Sequence, residues 1–473
     1  MKSLVYMICV FIVLFISAAS ADMLRLENYL DQVKTSNHAF RSAKEIGSAS
    51  ELISEKNILL VFPSVFGQVQ QLSDSRETTN PIFQGDKSQA LNYQLGISEQ
   101  TPIGLDAKLY YDMTKTKISG ASSTFVQIPS YFEGKAVLEL KQSLLKNGFG
   151  ESVRAHLDLI ESQAMAQSYS ERFKMRTTLA DAEGVYWRLT LARESVEVTQ
   201  ESLKRAVKIR DWNDRRTRLQ LADKSDLLQS EAVVRLREME LQSALDELRA
   251  ASQAFNLARE VSGDEVVEKL EKISAKKIEA LLMPKRVGDR EDVLAAKEQS
   301  QASIASNRMD RSTLKPQLDL YGTYSLNGRD REQGESFSES LGTTRPLWSV
   351  GVRFSFPLNV VAAFDSAKGH RQAQVGAELA VDRKLYEQER DWQDLTRKFT
   401  EAKNRFAFAK AIEDAQTEKV MHERSRHEKG RTTTYQVLMF EQDFAAAQLN
   451  RIRAEADVYK VSAAMKTYSG EKL

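Results

Sequence analysis

Five histidines, His38, His156, His370, His422 and His427, are the side chains best suited to metal or acid–base chemistry. His422 and His427 lie five apart, about 140° round a helix at 3.6 residues per turn. They do not share a face as two metal ligands at i, i+4 would. The sole cysteine is Cys9, within the first apolar run, so the remainder has no thiol nucleophile, thiolate ligand or disulfide. Gly148-Phe149-Gly150 lacks the further glycines and the Lys-Ser/Thr pair of a phosphate loop. Asp and Glu are scattered along helix-like stretches, where solvated faces and i, i+4 ion pairs account for them better than acid–base dyads do. Neither a catalytic constellation, a metal site nor a cofactor is expected. A basic cluster remains, Lys208, Arg210, Arg215, Arg216 and Arg218. It reads either as exposed helix charge or as a docking surface for an acidic partner.

These residues sit in a chain whose composition favours long solvated helices. Mean hydropathy is −0.43 and 28% of the 473 residues are charged. The eight prolines leave 130–283 and everything after Pro357 free of helix breakers. Lys2 followed by an apolar run to Ile16, then Ala19-Ser20-Ala21, has the form of a secretory signal over 1–21. Without Lys2 the basic and acidic side chains balance at 66 each. A nucleic-acid partner, which would call for a basic excess, is therefore not expected. The later sequence has no apolar stretch of membrane-spanning length. If this chain enters a membrane, it does so as strands.

Strands are present. In WSVGVRFSFPLNVV, Trp348, Val350, Val352, Phe354, Phe356 and Leu358 alternate with Ser349, Gly351, Arg353 and Ser355. Leu318, Leu320, Gly322, Tyr324 and Leu326 alternate with Asp319, Tyr321, Thr323 and Ser325, and Ala136, Leu138 and Leu140 with Glu139 and Lys141. On the helical side, Leu227, Val234, Leu241, Leu248 and Phe255 recur every seven residues. Val185, Leu189, Ala192, Val196, Thr199 and Leu203 step by fours and threes. Both patterns suit helices packed along a coiled-coil seam, with limbs of about 60 residues reaching on the order of 90 Å. Two hairpins flanked by such helices cannot build a sandwich. A closed barrel assembled from several copies, apolar side to lipid, can.

The order of segments repeats. Residues 22–262 form a first repeat: helix, strands over about 61–146, and a helical hairpin over 151–262. A junction spans 263–290. Residues 291–473 form a second repeat: helix, strands over 316–358, and a helical hairpin over 365–468. Pro63 and Pro316 correspond at an offset of 253, Ser143 and Pro357 at 214, and Gln220 and Gly430 at 210. The first copy therefore holds about 39 surplus residues among its strands. Alternation on either side of Thr101-Pro102-Ile103-Gly104 makes that surplus an extra hairpin over 91–117. It either joins the barrel or forms an extracellular flap. Pro357 marks the end of ladder pairing in the last strand.

LKQSLLKNGFG followed by AEGVYWRLTLARESVEVTQESLKRA, and WSVGVRFSFPL followed by RHEKGRTTTYQVLMFEQDFAAAQ, in the twice-given order helix–strands–helical hairpin, resemble the TolC family of outer-membrane efflux proteins. The resemblance implies an α+β membrane protein: an internally duplicated antiparallel helical barrel with strands contributed to a shared trimeric β-barrel. It implies a homotrimer in the outer membrane of a Gram-negative bacterium with a large periplasmic portion. It also implies a periplasmic adaptor and an inner-membrane transporter as partners, in efflux or type I secretion, and no enzymatic activity. By position the periplasmic tips are Gln220, Leu221, Ala222 and Asp223, and Gly430, Arg431, Thr432 and Thr433. Gln220 stands where glycine is common, which predicts a differently shaped first turn. The positions of an aspartate gate hold Gln436 and Met439, and Asp226 is the counterpart of Gln436 in the first copy. An envelope spacer anchored by its strands is the alternative reading of the same pattern.

Overall fold

The computed structural model describes residues 23–470 apart from Ile273 and Pro357, and no side chain of 56–58. The signal expected over 1–21, with Cys9, and the strand end expected at Pro357 lie outside the described residues. The elements run α1 (Leu26–Ser36), α2 (His38–Glu55), β1 (Ser64–Asp74), α3 (Pro81–Gln84), β2 (Lys87–Gln100), β3 (Leu105–Ser119), β4 (Ser130–Ser143), α4 (Glu151–Arg218) and α5 (Lys224–Ala258). There follow α6 (Ala275–Ala280), α7 (Glu291–Thr313), β5 (Gln317–Asp330), α8 (Gln333–Ser340), β6 (Pro346–Ser355), α9 (Val360–Glu428) and α10 (Thr434–Lys466). The two long helices match closely, 68 residues in α4 and 69 in α9. Their return helices also match, 35 residues in α5 and 33 in α10. Equal limbs in equal order are what a duplication leaves behind.

Two compact units emerge, and both repeats contribute to each. One holds the described residues up to Ile46, Glu171–Glu291 and those from Tyr386 on; the other holds Gly47–Ser170 and Asp292–Leu385. The first unit is helical, and its core is aromatic. Tyr29 stacks on Phe255 with ring centres 4.1 Å apart, and Trp187 stacks on Tyr459 at 4.1 Å. Phe399, Phe406, Val458 and Met465 of the second repeat join the same cluster. The seven-residue row expected on α5 points inward, with Val234 and Phe255 buried and Leu227, Leu241 and Leu248 half-buried. The row on α4 does the same, with Leu189, Ala192, Val196 and Thr199 all buried. The junction is tied to this core by polar contacts. The Tyr186 hydroxyl donates to the Leu24 carbonyl at 2.7 Å, while Leu24 N–H donates to Lys269 O at 2.8 Å, in a short parallel bridge to Leu270. Burial raises the Tyr186 phenol above its usual pKa, so the hydroxyl stays a donor.

The second unit is built on one six-stranded antiparallel sheet in chain order β1-β2-β3-β4-β5-β6. The surplus hairpin of the first copy, β2 and β3, lies inside this sheet, paired residue for residue from Lys87↔Ser119 to Gln100↔Asp106. Its turn and the start of α4 meet closely. Gly104 and Gly150 have φ of +75° and +79°, and a Cβ on Gly150 would come within 1.9 Å of the Pro102 carbonyl. Gly148-Phe149-Gly150 is thus a structural turn that lets two backbones touch. Asn147 then caps α4, its Oδ1 accepting from the N–H groups of Ser152 at 3.0 Å and Val153 at 3.2 Å.

Replacing Gly150 by alanine forces both the positive φ and the Pro102 overlap, and is expected to destabilise the sheet unit by about 2–3 kcal/mol. Thermal unfolding of the detergent-solubilised variant checks it; an unchanged midpoint contradicts the close approach. Phe255→Ala is expected to cost about 3–5 kcal/mol in the helical unit, read in the same assay.

Candidate functional site

Two places concentrate residues with no role in the cores: the faces of the sheet and the turns that end the long helices.

Register aligns one kind of residue on each side of the sheet. Along one face run Val65, Ile97, Leu109, Leu138, Tyr324 and Trp348, in adjacent rows with Val69, Leu95 and Val350. Most of these side chains are exposed, Trp348 to 69% and Val65 to 74%. The other face carries Gln68, Gln94, Asp112, Lys135 and Asn327 in one row and Ser64, Ser98, Lys108, Glu139, Thr323 and Ser349 in another. Its side chains bond across strands: Tyr110 to Glu139 at 2.8 Å, Asn92 to Asp112 at 2.7 Å, Lys141 to Asp106 at 3.1 Å, and Thr323 to Ser349 at 2.7 Å. Arg353 lies on this polar side, its guanidinium 5.3 Å from the Tyr321 ring centre. The apolar side chains stand out from the sheet while most of their polar counterparts, Gln94, Ser98, Asp112, Lys135, Glu139, Thr323 and Asn327, are half-covered, so the apolar face is the more open one. Strands of 10 to 15 residues are long enough to cross a bilayer when tilted. Among the described residues the sheet does not close on itself: β1 pairs only with β2, and β6 only with β5.

The helix α8, in the β5–β6 connection, was not foreseen. It packs on the apolar side near one end of the sheet, over Gly134 and Gly328. A Cβ on Gly328 would come within 2.4 Å of Ser336 O and Ser340 N. Ser336 Oγ accepts from Gly134 N–H at 3.0 Å, and Ser340 Oγ pairs with the Tyr111 hydroxyl at 2.8 Å. The sequence signal was there: two glycines at strand positions facing a helix with serines at i and i+4.

At the tips, the two turns are alike. Gln220 has φ +56° and Gly430 φ +68°, both left-handed. In each, the N–H of the left-handed residue reaches back three residues (Gln220 to Thr217 O at 3.0 Å, Gly430 to His427 O at 2.9 Å). The next N–H reaches back five (Leu221 to Arg216 O, Arg431 to Arg426 O, both 2.8 Å). This is the Schellman closure. The expectation of a different first turn is corrected: the hydrogen-bond pattern outweighs the side chain, and Gln220 takes the left-handed conformation regardless. Leu221, Gln220, Asp223, Arg431 and Thr433 are exposed, with Ala222 and Thr432 half-buried. Thr433 caps α10 by accepting from Gln436 N–H at 3.3 Å.

Beneath the tips, α4 is joined to both return helices through one buried side chain. Asn213 is fully buried; its Nδ2 donates to Asp226 O at 3.4 Å, and its Oδ1 accepts from the Thr434 hydroxyl at 3.1 Å. Asn213 was missed because one asparagine in a charged helix carries no periodic signal. Of the suspected gate residues, Gln436 and Met439 are exposed, and Asp226 is half-buried. The basic cluster divides. Arg210 pairs with Asp211 and Arg218 with Asp214. Arg216 lies on the Trp212 ring at 4.4 Å and donates to Leu221 O at 3.0 Å. Lys208 and Arg215 line a cleft of about 520 Å³ with Arg205, Arg424 and Glu441. His427 closes that cleft, its ring 4.1 Å from Trp212. Burial, and secondarily Arg216, holds its pKa below the ordinary histidine value against the opposing pull of Glu428, Asp226 and Glu423.

The described part of the chain superposes over most of its length on solved outer-membrane channels. They include CusC (TM-score 0.65, 12% identity, 94% of this chain and 92% of that one). VceC of Vibrio cholerae matches with TM-score 0.63 and 12% identity, over 94% of this chain and 96% of that one. The open state of MtrE from Neisseria gonorrhoeae matches with TM-score 0.59 and 16% identity, over 94% and 91%. No protein-family model matches the chain, and no curated protein does. The likeness is one of fold: the chain has the fold of outer-membrane channels.

Gln220→Gly relieves a strained left-handed residue and is expected to stabilise the helical unit by about 1 kcal/mol, seen as a raised unfolding midpoint; no rise contradicts the turn geometry. The unfolded chain takes up a proton at His427 near its ordinary pKa while the folded chain does not. Stability is therefore fully present above about pH 6.5 and declines as pH falls below it. His427→Gln is expected to flatten that decline in amide-exchange protection of the tip.

Proposed function

We propose that the chain is a passive exit duct of the outer membrane, three copies sharing one β-barrel and one helical tunnel. The carrying observation is the open six-stranded sheet: one contiguous exposed apolar face, one cross-bonded polar face, and two unpaired edges. In hydrocarbon such edges must be paired. Pairing β6 of one copy with β1 of the next satisfies both edges at once and makes a ring of eighteen strands for three copies, about right for a water-filled lumen. The polar face then lines the lumen and the apolar face meets lipid. The fold likeness supports this reading, as does the extra hairpin lying within the sheet rather than apart from it.

The cargo reaches such a duct from a periplasmic adaptor and an inner-membrane transporter, and the exposed tips Gln220 to Asp223 and Gly430 to Thr433 are the surfaces offered to them. Asp226 and Gln436, about one turn inside those tips, and Met439, about two turns inside, are the candidate constriction. The tips carry one acidic and one basic side chain, Asp223 and Arg431, and of the constriction residues only Asp226 is acidic, which suits a gate held by packing and by the Asn213 link. No step of this role needs a catalytic side chain.

Purified protein is expected to run as a trimer and to give stable single-channel conductance in planar bilayers. Deletion of its gene is expected to raise drug accumulation or abolish export of a secreted protein. A plugged or monomeric barrel without conductance, or unchanged export of both cargo types, replaces this reading with that of an envelope spacer.

A further inference from the structure

Where the sheet gives way to helices, a groove of about 550 Å³ opens between the end of α7 and the start of α9. Its floor is apolar: Leu314, Phe356, Val360 and Phe364, with Ala363 and Ala367 between the larger side chains. Phe356 continues the exposed alternation of Val350, Val352 and Phe354 on the apolar face, so the floor is an extension of that face. The rim is of opposite character. Arg308, Arg311 and Lys315 stand against one carboxylate, Glu151, which is itself paired with Lys315. Arg308 is turned to Asp158 at 2.6 Å. Arg311 is exposed and has no ion pair or hydrogen bond among the described residues.

An apolar slot that continues a lipid-facing band and ends in uncompensated positive charge matches a molecule with an acyl chain and an anionic head. A soluble acidic peptide would leave the slot unfilled, and a neutral lipid would leave Arg311 unanswered. We propose that this groove binds an anionic phospholipid of the leaflet at that end of the sheet, the acyl chain along Phe356 and Phe364 and the phosphate against Arg311. The proposal rests on the membrane reading above, since it takes the apolar face to be the lipid face. Cations at a membrane boundary attract anionic headgroups, and basic pockets between helices hold them. The bound lipid fixes the depth at which the strands sit by holding the first turns of α9 at the boundary.

The test uses full-length protein in nanodiscs of equal parts phosphatidylglycerol and phosphatidylcholine, with retained lipid counted by native mass spectrometry after detergent extraction. Phosphatidylglycerol is expected to be retained over phosphatidylcholine on the order of tenfold, and Arg311→Glu to abolish that preference. Ala363→Trp, which fills the slot, is expected to reduce retention of both lipids. Equal retention of the two lipids, or a preference that survives Arg311→Glu, overturns the proposal. Retention of both lipids unchanged by Ala363→Trp also overturns it, because the lipid is then held elsewhere than in the groove. Conductance on the same samples separates the two readings. Equal retention of the two lipids with conductance intact overturns the lipid site and leaves the duct standing. Retained lipid preference without conductance removes the duct and leaves the lipid site standing.

Discussion

A strand in hydrocarbon must pair every backbone N–H and C=O, because nothing around it can hydrogen-bond. Much of this chain follows from that constraint. Six strands pair with one another in chain order, and β1 and β6 each keep one open edge. A twisted sheet of this size with free edges is a liability in water and is excluded from lipid, so on the proposed reading another copy completes the strands. The same constraint bears on the extra hairpin. With β2 and β3 paired to β1 on one side and β4 on the other, the surplus residues of the first repeat add two strands to the sheet without adding an edge.

The helical unit solves a different problem, that of holding long, charged helices side by side. Its answer is a small aromatic centre drawn from both repeats, Tyr29, Trp187, Phe255 and Tyr459, rather than a uniform leucine seam. Around that centre the junction acts as a strap. Arg259 reaches Glu268 at 2.7 Å, Asn256 holds the carbonyls of Gly263 and Glu265 at 3.0 Å, and Arg193 holds that of Glu268. Toward the tips the packing changes from aromatic to polar, and Asn213 becomes the shared contact. A buried amide bonded to two neighbouring helices fixes their register, yet it is weaker to break than an apolar core. That suits a region proposed to move.

Much was legible before the structure. Alternation located five of the six strands, because one face of each is apolar and the other polar; β1 was placed only within the strand region of about 61–146. Heptad spacing located the inward rows of α4 and α5. Offsets between repeats located both tips to within a residue. The rest was illegible for specific reasons. Gln220 looked like a departure from the turn, since residue preference is weaker than two closing hydrogen bonds. The helix α8 is short and has too little periodicity to stand out, and only its two facing glycines give it away. Asn213 has no pattern around it. Gly148-Phe149-Gly150 was read only as lacking the features of a phosphate loop, and its contact with Pro102, more than forty residues earlier in the chain, has no local signal.

By itself the sequence determined the element types, their duplicated order and the sidedness of each strand. These depend on periodicity within a dozen neighbouring residues, and that is a local property. Only the tertiary structure decided that the surplus hairpin enters the sheet and that both tips close in the same conformation. It also decided that one asparagine ties α4 to two other helices, and that cations from α7 gather at the rim of an apolar slot beside α9. Those outcomes join residues tens to hundreds of positions apart. They are set by which backbones can approach and which polar groups find partners, and no local pattern in the chain encodes that choice.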